Sequence, residues 1–85
     1  MKKIIITLTD IQKIQFYDVE VPVDVKIERL KHDMIDTLNG YVPGMSIDPD
    51  SVILLSDRTG NQLNPDETLE NAGVWNGDII TIAGV

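Results

Sequence analysis

The sequence predicts an α+β fold of element order β-β-α-β-β-turn-β, with one helix packed on one face of a mixed sheet and the other face open. Three observations predict it. The first 21 residues hold two stretches of alternating apolar residues, a single helical stripe follows, and the chain finishes in a β-branched run introduced by a tight turn.

Residues 3–9 form the first strand, with Ile4, Ile6 and Leu8 on one face and Ile5, Thr7 and Thr9 on the other. Asp10 to Lys13 is a polar hairpin connection that leaves Ile11 apolar at its tip. The second strand spans Ile14 to Val21. Burying lone carboxylates is costly, so Asp18 and Glu20 face water and Tyr17, Val19 and Val21 face the core. Ile14 and Phe16 then fall on the outer face, unless a bulge near Tyr17 resets the register; the unbroken strand is the reading adopted. Pro22 ends the strand or sits at a sheet edge.

Asp24 is the expected N-cap of a helix whose stripe is Ile27, Leu30, Met34 and Leu38, widened by Ile35 and closed by Asn39-Gly40. Tyr41 to Asp50 is the longest loop. Its Tyr41, Val42, Met45 and Ile47 are apolar enough that part of it should pack on the core rim. Ser51 to Ser56 is the third strand, with Val52 and Leu54 in one phase and Ile53 and Leu55 in the other, and Gln62-Leu63 is a brief fourth.

Leu63 to Ile82 organises the rest. Asp66 can cap one helical turn that Gly73 ends at positive φ, Asn76-Gly77-Asp78 makes a tight turn, and Ile79 to Ile82 reads as a strand bonded on both sides.

At 85 residues this is expected to be one domain, 1–85. A chain of this size buries only about 60–65% of its unfolded surface, which leaves room for one small core and no deep cleft. It has no cysteine, so neither disulfides nor thiolate metal ligands support it. Thr7, Thr9 and Asp10 interrupt the N-terminal apolar run before it reaches signal or membrane-span length, so a soluble, cytoplasmic protein without membrane insertion is expected. A net charge of −7 disfavours nucleic acid and suits solubility or a basic protein partner.

No catalytic or metal constellation is legible. His32, the sole histidine, could share a cation with Asp36 at i,i+4, but no further strong ligand is near in sequence, and a solvated helix face explains both. Asp48-Pro49-Asp50 lacks the ligand spacing of a calcium loop and reads as turn chemistry. The helix face carrying His32 is expected to point away from the loops, which leaves Ser46, Ser51 and Ser56 without a base. Gly40, Gly44, Gly60, Gly73 and Gly77 are each assigned to a cap or turn rather than to a phosphate loop. The expectation is a protein that is not an enzyme and needs no cofactor or metal.

Tyr17 to Pro22 leading into the helix, Ile27 and Leu30 within it, Val52 to Leu55, and Thr68-Leu69 through Gly73-Val74 to Asn76-Gly77-Asp78-Ile79 together resemble the ubiquitin-like β-grasp family. Within that family they resemble most the YukD-type proteins of Gram-positive type VII secretion clusters. The resemblance implies strand order 2-1-5-3-4. Conjugated members and sulfur carriers of the family use a flexible tail ending in Gly-Gly, whereas this chain has Ile82-Ala83-Gly84-Val85, expected to be too short to leave the sheet. The resemblance thus implies a non-covalent interaction module, with a type VII secretion membrane component or regulator as protein partner. A C-terminally activated modifier or sulfur carrier, and a β-grasp subunit regulating a larger enzyme, are the alternatives.

Period-2 alternation puts Ile5, Ile53, Leu55 and Ile79 on the sheet face opposite the helix, where they are expected to form one patch. Ile11 can fold over its edge and Phe16 can extend it. Partners of ubiquitin-like domains generally bind this face, so Ile5, Ile11, Ile53, Leu55 and Ile79 are the candidate partner-binding residues. Trp75, beside the last turn, can either anchor a partner or lie over the core rim, the commoner fate of a lone tryptophan in a small domain.

Overall fold

A computed structural model describes residues 2–84. Strands β1 (Lys3–Asp10) and β2 (Phe16–Pro22) precede helix α1 (Ile27–Tyr41), a short 3₁₀ turn at Pro49–Ser51, and strands β3 (Val52–Ser56) and β4 (Ile79–Gly84). The sheet order is β2-β1-β4-β3, with β4 parallel to β1 and antiparallel to β3. The last strand is therefore central, bonded on both sides as its β-branched residues predict. The expected fourth strand is reduced to a single antiparallel bridge from Gln62 to Leu55. Leu63 stays buried behind it, so the 62–63 segment lies on the outer side of β3 as expected, but it is too short to make a ladder.

Alternation sets the core. Ile4, Ile6 and Leu8 of β1, Leu54 of β3 and Ile80 of β4 meet Ile27, Leu30, Met34 and Leu38 of α1 in one buried cluster. The second strand runs unbroken, with Tyr17 and Val19 packed against the core, Val21 buried, and Phe16 exposed on the other face. It starts at Phe16, however, and leaves Ile14 exposed in the connection.

Asp24 does not cap α1. The helix begins after Lys26 without a side-chain cap, and its first free amides donate to a remote segment: Ile27 N–H to the Glu67 carbonyl at 2.8 Å and Glu28 N–H to the Pro65 carbonyl at 3.0 Å. Four amides at every helix start need acceptors. Here the chain before β4 supplies two of them, and buried Leu69 anchors that chain. Thr68, rather than Asp66, caps the single turn within it, its hydroxyl accepting from Asn71 N–H at 3.2 Å. Gly73 (φ +73°) and Gly77 (φ +89°) take the left-handed conformations that the turns demand.

The other end of α1 differs too. It runs through Gly40 to Tyr41, and Asn39 instead clamps the following loop, donating to the Ile47 carbonyl at 2.8 Å and accepting from Ile47 N–H at 2.9 Å. That clamp presses Val42 and Met45 against the core, while Tyr41 stays in solvent. Asp48 caps the 3₁₀ turn by accepting from Asp50 N–H, the turn chemistry expected of this tripeptide. At the far end of the sheet, Ala83 and Gly84 are paired opposite Ile53 and Val52.

Candidate functional site

The strand register fixes the open face row by row. Glu20 lies beside Ile5, Asp18 beside Thr7 and then Ile79, and Phe16 beside Thr9, Thr81 and Leu55. Its centre is a threonine strip, with the aliphatic candidates at its margins. Ile5 (47% exposed) and Ile79 (38%) are diagonal neighbours at one end. Leu55 and Ile53 are half-buried toward the other, and Ile11 at the hairpin tip shares a shallow depression with Leu55.

The single patch expected from alternation is crossed by a polar bridge. Asp10 shapes the hairpin, its carboxylate accepting from Gln12 N–H at 3.0 Å and Lys13 N–H at 2.9 Å, and it leaves Lys13 at φ +55°. From there the Lys13 ammonium reaches over the sheet to the Asp57 carboxylate and to the Thr81 hydroxyl, 3.2 Å away. Thr81 also donates to Asp57. Partial burial pushes the Asp57 carboxyl up, but the hydrogen bonds from Lys13 and Thr81 and the Lys13 charge outweigh it and hold the group below the usual aspartate range. The hairpin thereby covers Thr9 and Thr81, each only 3% exposed, although alternation puts them on the open side. Ile5 and Ile79 remain together, set apart from Ile11 and Leu55.

A second construction stands at the Ile5–Ile79 end. Asn76 and Gly77 are stitched to Ile5, whose N–H donates to the Asn76 side chain at 2.8 Å and whose carbonyl accepts from Gly77 N–H at 2.7 Å. Asp78 is buried there, accepting from Trp75 N–H at 2.9 Å and from Arg58 Nη2 at 3.0 Å and Nε at 3.2 Å. Burial raises its carboxyl, yet the hydrogen bonds from Arg58 and Trp75, with the Arg58 charge, win and lower it overall. Arg58 in turn stands 4.0 Å over the Trp75 ring, which is 63% exposed. The tryptophan thus lies outside the core, held in place by a guanidinium fixed on a buried carboxylate. Sequence reasoning left Trp75 undecided and gave Arg58 no role. Arg58 lies 17 positions before Trp75, and no local pattern links them.

His32 faces the 3₁₀ turn rather than away from the loops. Its Nε2 is 3.3 Å from Glu28 and 3.1 Å from Asp50, and Asp36 is not its partner. One ligand atom from each of Glu28, His32 and Asp50 lies within 4.8 Å of the others. All three are open to solvent to some degree, and their pairing serves to tie the start of β3 to α1.

The model of the family described as "WXG100 protein secretion system (Wss), protein YukD" matches residues 5–82, nearly the whole chain. The chain belongs to the YukD family. Its fold is ubiquitin-like. Two solved structures agree on the fold. The ubiquitin-like domain of the Mycobacterium tuberculosis type VII secretion system protein ECCD1 superposes with TM-score 0.77 at 18% identity, covering 99% of this chain and 100% of that one. A de novo design based on ubiquitin superposes with TM-score 0.71 at 19% identity, covering 94% of this chain and 85% of the design. No curated protein matches the sequence. Among the described residues of this YukD-family chain, no helix is long and apolar enough to cross a membrane.

Proposed function

We propose that this YukD-family chain is a non-covalent, non-enzymatic interaction module, a cytoplasmic accessory or regulatory component of a type VII secretion system that binds a protein of that machinery through its open sheet face. The observation that carries the reading is the exposure of three large apolar side chains, Ile5 and Ile79 as diagonal neighbours on the open face and Trp75 beside the 76–77 turn that is hydrogen-bonded to Ile5. The backbone beneath them is locked by the Asn76–Ile5 and Asp78–Arg58 contacts, so they are presented at little conformational cost. Soluble proteins seldom expose such groups without a binding role. Ile11, Ile53 and Leu55 supply a second, flatter contact across the Lys13–Asp57 bridge.

The partner is expected to be a membrane component or regulator of the secretion machinery. Affinity capture from a lysate of a Gram-positive cell with this secretion system should recover it. The Ile5→Lys, Ile79→Lys double variant should fold and lose it, since a lysine at position 5 stands beside Glu20 and one at position 79 lies one strand beyond Asp18, on an exposed face. A folded double variant that recovers the same component in undiminished amount overturns the assignment of this face.

A further inference from the structure

Glu28, His32 and Asp50 converge in a way that a surface tie alone does not require. Glu28 and His32 stand one turn apart on the same side of α1, and the 3₁₀ turn brings Asp50 against them from 18 positions after His32. An ion held by a helical i,i+4 pair needs a further strong ligand, and the fold supplies it from outside the helix.

The distances fit coordination. Bonds of about 2.0–2.2 Å from one ion to imidazole nitrogen and carboxylate oxygen set neighbouring ligand atoms about 2.8–3.6 Å apart. His32 Nε2 is 3.3 Å from Glu28 Oε1 and 3.1 Å from Asp50 Oδ1, and the three ligand atoms all lie within 4.8 Å of one another. An imidazole nitrogen carries one proton or one lone pair, so a proton on Nε2 points in line at only one of the two oxygens. A dication serves all three atoms.

Both carboxylates are held ready for it. The Lys31 ammonium donates to the Val52 carbonyl at 3.2 Å and lies 3.6 Å from Glu28 Oε2, which leaves Oε1 turned to His32. Asp48 accepts from Asp50 N–H and from the Ser51 hydroxyl, each at 3.0 Å, and so fixes the turn that presents Asp50. Ligands placed in advance lower the cost of binding. Lys31 offsets one of the two carboxylate charges, and the cluster with a neutral imidazole stays negative in a chain carrying −7.

The donor set selects the ion. Imidazole with carboxylates suits first-row transition dications, whereas Mg²⁺ and Ca²⁺ are held by shells of oxygen. The His32 and Asp50 side chains are partly open to solvent, so water can complete the coordination.

We propose that Glu28, His32 and Asp50 form a binding site for a first-row transition dication, with Zn²⁺ as the reference ion. The bound ion locks α1 to the turn that begins β3. This site is on the helix side of the sheet, apart from the Ile5–Ile79 face, and the proposal is independent of what that face binds.

The test is titration of zinc chloride into the tag-free, isotope-labelled chain, read through the His32 ring signals, which are unambiguous because it is the sole histidine. Zn²⁺ should bind one to one with a micromolar dissociation constant, shift the His32 ring and the amides of Glu28, Asp50 and Ser51, and leave Trp75 and Ile79 unmoved. Mg²⁺ at the same concentration should move none of them. Glu28→Gln and Asp50→Asn, each checked for an intact spectrum, should weaken Zn²⁺ binding about tenfold or more. Zn²⁺ should raise the melting temperature of the native chain and not that of His32→Ala. Asp36→Asn, which removes the other carboxylate one turn from His32, should leave the affinity unchanged. Any of four results overturns the proposal: a His32 ring unmoved by millimolar Zn²⁺, equal binding of Mg²⁺, Asp50→Asn binding Zn²⁺ as tightly as the native chain, or Asp36→Asn weakening it as much as Asp50→Asn does.

Discussion

The Arg58 guanidinium grips the buried Asp78 carboxylate, with Nη2 at 3.0 Å and Nε at 3.2 Å from its oxygens, and so joins the turn after β3 to the turn before β4. Arg58 also reaches the Gly73 carbonyl, so one side chain holds two points of the chain that flank Trp75. Asp78→Asn keeps the shape and removes the charge. It should cost about 2 kcal/mol at neutral pH, the scale of charge-assisted bonds to a mostly buried acceptor. Urea unfolding of the two proteins measures it, and a difference within a few tenths would show the pair to be ornamental.

The same carboxylate, with Asp57, sets the acid response. Both pKa values are lowered in the fold from the ordinary 3.8, because hydrogen bonds and the Arg58 and Lys13 charges outweigh burial. A depressed carboxyl adds stability that is fully present above the unfolded value and is lost as the pH falls through the folded one. Stability should therefore fall below about pH 4, and the gap between the native chain and Asp78→Asn should close over that interval. Urea midpoints taken from pH 6 to pH 2.5 test this, and a gap that stays constant refutes it.

Trp75, with 63% of its surface exposed, should emit at the long wavelength of a hydrated indole and be open to acrylamide. Arg58→Ala removes the cation above the ring and should increase quencher access further. Blue-shifted emission protected from the quencher would place the ring over the core instead.

Leu69 is 1% exposed and anchors the segment whose carbonyls receive the first amides of α1. Leu69→Ala should cost about 2–4 kcal/mol, as buried leucine truncations do, out of a total stability on the order of 5–15 kcal/mol. Hydrogen exchange at Ile27 and Glu28 should quicken more than exchange at Leu38. Uniform acceleration along the helix would mean that the segment does not cap it.

Lys13 adopts φ +55°, a conformation that favours glycine, and carries the ammonium that bridges to Asp57. Lys13→Gly relieves the backbone and loses the ion pair; Lys13→Met keeps the backbone cost and loses the pair. Lys13→Met should be the less stable of the two, by about 0.5–1 kcal/mol. Equal stabilities would show that the hairpin relaxes freely.

By itself the sequence determined which residues form the layers of this YukD-family protein. The alternation in β1 and β2, the stripe from Ile27 to Leu38, and the β-branched run at Ile79 each repeat at the period of their element, so the face buried follows from local geometry. Gly73 and Gly77 were legible for the same reason, since positive φ is a local demand. Tertiary structure alone decided what meets at the ends of those elements. The acceptors for the α1 amides lie about 40 residues downstream, Asn39 serves Ile47 rather than its own helix, and Asp50 rather than Asp36 reaches His32. It also decided the open face. Period-2 alternation says which side of the sheet Ile5, Leu55 and Ile79 occupy, but not that Lys13 crosses between them or that Arg58 holds Trp75 in solvent. Those contacts join residues 17 to 44 positions apart, and long polar side chains choose such partners by distance and charge once the backbone has brought them together.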